Sequence, residues 1–223
     1  MRIKTIATGS SGNCHILTTS QGKHLLLDAG LPIQDIKIGL DFDIGNVDGC
    51  VVSHCHHDHA KSAHKLESMG IRVFRPYEID KAILKTQIGD FAITSFPVPH
   101  NGTPNRAFII KADGETILYA TDFEYIQYKM TGQSFTAMLI ECNYMAGMIA
   151  ENDHREHICL GHAELSTCCD FVAQNATEAL KTVILIHASN SGCLDKDHAV
   201  NEVQAVVPKA TVYMASKGLT VQI

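Results

Sequence analysis

Six consecutive residues, His54-Cys55-His56-His57-Asp58-His59, place four groups of metal-binding type, His54, His56, Asp58 and His59, in one short stretch. Imidazole and carboxylate are common zinc ligands, and a structural ion takes about four donors in all. A spacing of two lets His54 and His56 grip one ion while the chain is extended. Asp58 and His59, reached as the chain bends, face a second. Three more candidates each end an apolar run: His100 after FPVP, Asp122 after ILYAT and His187 after VILI. Singly, each reads more readily as a polar strand terminus. Taken with the loop, they complete two sites: His54, His56 and His100 around one ion, and Asp58, His59 and His187 around the other, with Asp122 bridging. The expected cofactor is therefore two divalent ions, zinc foremost, with manganese or iron as alternatives. Two ions so placed lower the pKa of a shared water and stabilise charge on attacking and leaving oxygens, which is the chemistry of hydrolysis.

Such a constellation needs rigid strands whose ends meet. CVVSH (50–54) reads as a buried strand that delivers the ligand loop, followed by a helix, AKSAHKLESMG, closed by Gly70. RIKTIA, NCHILTT and HLLLDAG precede it as strands, with a weak helix from Pro32. IRVFRP and FAITSFPVPH follow as strands, and RAFIIKA-DG-ETILYATD is a hairpin turning on Asp113–Gly114. FTAMLIECN and TVILIHASN are apolar strands ending in polar clusters. HAELSTCCDFVAQNAT and DKDHAVNEVQAVV read as helices, the latter carrying Val200, Val203 and Val207 on one stripe, and ATVYMA and LTVQI close the chain as strands. Many strands with few helices, in two halves of similar character, suit packed sheets covered outside by helices, an α/β layered fold. With no repeat, low-complexity tract or Pro/Gly-rich linker, residues 1–223 are expected to form one domain.

Composition narrows the class. The chain has 223 residues, a formal charge of −6 and 45% hydrophobic residues, so it carries no general basic coat for nucleic acid and does not resemble a disordered chain. Thirteen histidines in a chain without tryptophan are the anomaly. No apolar run approaches the roughly 18 residues that span a bilayer, so no membrane partner is expected. Eight cysteines without paired spacing, and no apolar leader, read as reduced cytosolic thiols, and the expected location is cytoplasmic.

In order along the chain, LLLDAG (25–30), SHCHHDH (53–59), VPH (98–100), TD (121–122) and IH (186–187) resemble the metallo-β-lactamase superfamily over essentially the whole length. The resemblance implies an αββα sandwich with a dinuclear centre. It also implies that Asp28 is a carboxylate that supports the ligand loop without binding metal. Flavodiiron oxygen reductases carry Glu at the place of His56, which disfavours redox chemistry. Secreted β-lactamases lack His at 59 and the bridging Asp, and glyoxalase-II thioesterases share the whole ligand set.

Two segments point to a branch. GSSGNCHIL (9–17) resembles the opening of YycJ/WalJ-like proteins, a group associated with DNA exonuclease activity. Its glycines would let backbone N–H groups approach an anion, with Ser10, Ser11 and Asn13 against substrate. Gly161-His162-Ala163-Glu164-Leu165-Ser166 resembles the GHLS motif of that group with one extra residue, and Glu141-Cys142-Asn143 resembles its E-x-N strand end. His162 is read as holding the scissile phosphate or protonating the leaving oxygen, Asn143 as a substrate contact, and Asp58 as orienting a metal-bridged hydroxide.

Residues 61–85 carry Lys61, Lys65, Arg72, Arg75, Lys81 and Lys85 against Glu67, Glu78 and Asp80, a local +3 that reads either as a phosphate-contacting stretch or as a solvated face. Cys55 reads as a filler turned away from the ligands, His154 and His157 as part of a surface loop, and Cys168 and Cys169 as half-buried apolar residues. The sequence thus predicts a metal-dependent phosphodiesterase, an exonuclease with DNA as its partner. The alternatives are a hydrolase of small phosphodiesters or thioesters and a non-catalytic nucleic-acid-processing module. Oligomeric state is left open.

Overall fold

The computed structural model describes residues 1–149, 155–189 and 193–223. Strands β1 (Arg2–Ala7), β2 (Cys14–Thr18), β3 (His24–Leu27), β4 (Val47–Val51), β5 (Arg72–Phe74) and β13 (Thr220–Gln222) form one sheet, ordered β13-β1-β2-β3-β4-β5. Strands β6 (Leu84–Ile88), β7 (Phe91–Val98), β8 (Asn105–Ala112), β9 (Glu115–Ala120), β10 (Ala137–Glu141), β11 (Thr182–Ile186) and β12 (Thr211–Met214) form the other, in the order β12-β11-β10-β9-β8-β7-β6.

Period-two alternation explains the layering, because successive side chains of a strand enter opposite faces. Leu25 and Leu27 of β3 point into the core between the sheets, where they meet Phe108, Ile110, Tyr119, Leu139 and Ile184 of the second sheet. Leu26 points the other way, to a layer with Ile33 and Ile36 of helix α1 (Ile33–Gly39) and Leu66 of α3 (Ala63–Ser68). On the far face of the second sheet, Met138, Ile140, Val183 and Leu185 pack on Phe171 and Val172 of α5 (Leu165–Asn175) and Val203 of α6 (Lys196–Val206). Apolar residues on both faces make these strands continuous hydrophobic runs, as buried sheets require. The architecture is the expected αββα sandwich.

Local chemistry sets the element ends. Glu164 caps α5 by accepting from the Ser166 amide, and Asp195 caps α6 by accepting from the His198 amide at 3.0 Å. Asp113 and Gly114 both have positive φ, 53° and 76°, the geometry of the mirror-image turn that matches strand twist. Two readings change. Strand β6 was not anticipated, because LKTQI is mostly polar and only Ile88 of it is buried; its pairing with β7 makes it a strand. The DHREH segment, expected as a loop, is helical from Arg155 in α4 (Arg155–Gly161), since no Gly or Pro interrupts it before Gly161. His154 and residues 190–192 lie outside the described residues.

Candidate metal centre

The parallel register of β9, β10 and β11 aligns their carboxyl ends: Ala120 lies beside Ile140, which lies beside Leu185. The residues that follow, Asp122, Glu141 at the very end of its strand, and His187, therefore emerge side by side. From β7 comes His100. From β4 in the facing sheet comes the ligand loop, whose short helix α2 (His57–Ala60) carries Asp58 and His59. Asp28, Asp122 and His187 all adopt the left-handed region, with φ of 60°, 52° and 53°. For residues other than glycine that conformation is uncommon, and it clusters where geometry is dictated by a site.

Two donor sets result. His54, His56, His100 and Asp122 offer ligand atoms within 4.8 Å of one another, as do Asp58, His59, Asp122 and His187. Asp122 belongs to both: its Oδ2 lies 3.7 Å from His54 Nε2, and its Oδ1 lies 3.4 Å from His59 Nε2 and from His187 Nε2. His56 Nδ1 lies 3.0 Å from His54 Nε2 and 3.3 Å from His100 Nε2. Asp58, 24% exposed at its side chain, is the most open carboxylate of the group.

Buried partners fix each ring. Asp28, fully enclosed, accepts from His59 Nδ1 at 2.6 Å, the Ser53 amide at 2.7 Å, the Ser53 hydroxyl at 2.9 Å and the Tyr119 hydroxyl at 2.5 Å. This turns His59 Nε2 toward the centre, the usual carboxylate–histidine arrangement behind a metal. His100 Nδ1 donates to the Gly161 carbonyl at 2.6 Å, leaving its Nε2 inward. Glu141 faces two rings, His162 Nδ1 at 2.7 Å and His187 Nδ1 at 3.0 Å, and also accepts from the Phe123 amide at 2.9 Å. His162 stacks on His187 with ring centroids 5.2 Å apart and an interplanar angle of 15°. Asp122, Glu141, His162 and His187 also form a compact third group. The carboxylate of Glu141 is already committed to backbone and ring donors, so it works as a hub that orients two imidazoles.

Charge follows this arrangement. Burial pushes His54 well below its ordinary pKa and lowers His100 too, which keeps their lone pairs available. Burial also opposes protonation of His59 and His187. In His59 the facing Asp122 and Asp28 outweigh it and hold the ring well above the usual range; in His187, Asp122, Asp58 and Glu141 raise it to about 10. Burial would protonate Asp122, yet His187 and His59 hold it well below the carboxylate range, and Asp58 is likewise lowered against burial by His187 and His59. Among the described residues, no Lys or Arg pairs with either carboxylate. A divalent cation supplies the same compensation while taking up ring lone pairs. His187 Nε2, buried and without a hydrogen-bond partner, faces this space. The donor set fits two divalent ions.

The remaining sequence-predicted residues fall in two places. Asn13, 1% exposed, lies against the ligand loop: its amide nitrogen is 2.9 Å from His59 Nε2 and its backbone N–H donates to the Asp58 carbonyl at 2.8 Å. Asn143, 6% exposed, donates to the His187 carbonyl at 2.7 Å. Both asparagines, read as substrate contacts, are turned into the protein and hold ligand segments. Ser10 and Ser11 are exposed. Cys55 is exposed, Cys168 is buried and Cys169 is partly buried, and all eight cysteines are free. Glu141 and Tyr119 were not singled out by spacing. Glu141 lay within the quoted E-x-N segment, whereas nothing local distinguishes Tyr119 from a core tyrosine.

The model of the metallo-beta-lactamase superfamily matches residues 7–122. Exodeoxyribonuclease WalJ of Streptococcus pneumoniae is 27% identical over 165 residues, covering 62% of this chain and 61% of that protein, so the match spans less than two thirds of the curated relative. The metallo-beta-lactamase fold protein YhfI from Bacillus subtilis superposes with a TM-score of 0.76 at 18% identity, covering 99% of both chains. The short form of human tRNase Z does so with a TM-score of 0.65 at 14% identity, covering 100% of this chain and 99% of that one. At these identities both structures speak to the fold. Among the described residues, no helix is long and apolar enough to cross a membrane.

Proposed function

Because the chain belongs to the metallo-beta-lactamase superfamily, we propose that it is a two-ion hydrolase that cleaves phosphodiester bonds from the ends of DNA. One observation carries this reading. Two complete donor sets share Asp122, and beside them stands His162, held by the buried Glu141. An extra protonatable group next to the donor sets suits a reaction with a poor leaving oxygen. The choice of DNA is supported by the relative called an exodeoxyribonuclease and by the GSSGN and GHAELS segments.

Bound at His54, His56, His100, Asp122, Asp58, His59 and His187, two divalent ions (zinc first, manganese or iron otherwise) supply an activated water and neutralise phosphate charge. The chain's own groups do the rest. Asp58, ionised and open to the mouth, accepts a hydrogen bond from the attacking water and aims it. His162 is raised above its ordinary pKa because, against burial, the Glu141 carboxylate favours its charged form. Beside the donor sets and held by Glu141, it is placed to donate a proton to the departing oxygen. Asp28 holds His59, while Asn13 and Asn143 hold the two ligand segments. The exposed Ser10 and Ser11 meet substrate phosphates. A cytoplasmic, single-domain protein without a membrane partner completes the reading.

The experiment is a metal analysis followed by a substrate panel. Reconstituted protein should hold two equivalents of zinc or manganese and release nucleotides from end-labelled DNA, while Asp58→Ala should not. Turnover of a thioester with no cleavage of DNA would replace this reading by thioester hydrolysis.

A further inference from the structure

Two cavities flank the first donor set and meet at one aromatic residue. The larger, about 690 Å³, runs from His100 to a wall at residues 77–80. The smaller, about 400 Å³, opens beside Cys55 and His57, the two sequence neighbours of His56. Tyr77 and Glu78 line both. The larger lies within the size range of small-ligand sites. Thr103, on its floor, has its hydroxyl 3.4 Å from His56 Nε2, so this cavity opens directly onto a predicted metal ligand.

The cavities differ in charge. Around the larger stand Glu78, Asp80 and Glu124. Among the described residues that line it, the one cation is Arg106, which is buried and donates to the carbonyls of Ile79 at 2.8 Å, Lys81 at 2.7 Å and Ala82 at 2.9 Å. That guanidinium pins the wall and has little left for a phosphate. A cavity of this kind repels phosphate and accepts an uncharged, flat group with N–H donors. The smaller holds Lys61, His64 and Arg75 beside Glu78, the acid it shares with the larger. Arg75 is paired with Glu67, but Lys61 is exposed and makes no ion pair among the described residues. Between them Tyr77 packs against the apolar layer under α3 and stays half exposed, a braced ring.

A base-accepting cavity beside a cationic one, separated by an aromatic ring, repeats the alternation of base and phosphate along a nucleic-acid strand. We propose that the two cavities form a single-strand binding track, with Tyr77 stacking the base that enters the larger cavity and Lys61 meeting an adjacent phosphate. A base paired within a duplex cannot enter such a cavity, so the preferred substrate is a single-stranded DNA end. This rests on the nuclease reading above and deepens it.

The test uses the metal-loaded protein with three substrates: a short single-stranded oligonucleotide carrying 2-aminopurine near its end, the matching blunt duplex, and bis(p-nitrophenyl) phosphate. Stacking on an aromatic ring is worth about 1–3 kcal/mol per base, or roughly 5- to 150-fold in affinity. Tyr77→Ala should therefore raise KM for the single strand by about 10- to 100-fold and remove the 2-aminopurine quench on binding. Tyr77→Phe should keep both. Lys61→Gln should lower the slope of log affinity against log salt by about 0.7, the single-strand increment for one phosphate. Metal content and melting temperature report folding of each variant. Cleavage of DNA by the wild type with KM and quench indifferent to Tyr77→Ala overturns the track and leaves the nuclease reading standing, as does a preference for the duplex. Hydrolysis of the small diester with no binding or cleavage of either DNA overturns both.

Discussion

Asp28 and Glu141 divide the work of holding the centre without facing substrate. Each is wholly buried, and each turns a ring nitrogen outward by engaging the opposite one, Asp28 through His59 and Glu141 through His187. Removing such a partner typically costs 10- to 100-fold in metal affinity. Asp28→Ala should therefore weaken metal binding by that order in a competitive chelator titration. Equal affinity in the variant would deny Asp28 this role. His162 makes a contrasting case. Its stacking on His187 and its bond to Glu141 put it next to the ligands, yet the other donors complete both sets without it. His162→Ala should lower kcat by about 10²- to 10⁴-fold, the usual share of a positioned acid or base, and leave the metal stoichiometry at that of the wild type. A loss of metal with the ring would make His162 a ligand.

Close packing of three loops makes the centre a property of elements as much as of side chains. The Gly30 amide donates to the Asn13 carbonyl at 2.9 Å, and the Asn13 amide donates to the Asp58 carbonyl at 2.8 Å. A Cβ built on Gly30 would stand 1.6 Å from that same Asp58 carbonyl oxygen. Gly30→Ala must therefore push the ligand loop away. Overpacking costs about 1–3 kcal/mol, and here the displaced atom is backbone next to a ligand. The variant should melt several degrees lower and lose metal, whereas Gly45→Ala, where nothing lies within 4 Å, should do neither. The elements that carry this packing were legible because their apolar residues alternate or run unbroken. Leu25, Leu26 and Leu27 declare a strand buried on both faces before any partner is known. By contrast LKTQI has no such pattern, and its strand exists through pairing with β7. The converging donor groups were legible because four of them are close together in sequence and the others end apolar runs. Glu141 was quoted only as part of a strand end; its contacts with His162 and His187, 21 and 46 residues distant, arise only when parallel strands are brought into register. The left-handed backbone at Asp28, Asp122 and His187 is equally a product of the fold, since none of the three is a glycine.

At the scale of the whole molecule the concentration of charge is paid for by a sandwich whose core is otherwise apolar. The formal charge is −6, and two divalent ions bring +4, so loading takes the chain to −2. More consequential is where that charge enters: Asp122 is 3% exposed, His54 and His59 are fully enclosed and His187 is 4% exposed. Buried ionised groups are costly unless compensated, and in the metal-free protein the compensation for Asp58 and Asp122 comes from imidazolium rings that burial itself disfavours. A cation that binds the folded chain and not the unfolded one adds RT ln(1 + [M]/Kd), about 2.7 kcal/mol per site at a hundredfold excess over Kd. For a chain of this length each kcal/mol moves the melting temperature by about 2–4 °C. Zinc at that excess should therefore raise the melting temperature by about 5–11 °C per ion, and chelation should reverse the shift. Asp122→Ala, which takes a donor from both sets, should flatten the response to each ion, whereas His100→Ala should reduce only the part belonging to the first. Coincident melting curves with zinc and with chelator would mean that the two sets of converging side chains do not hold metal at all.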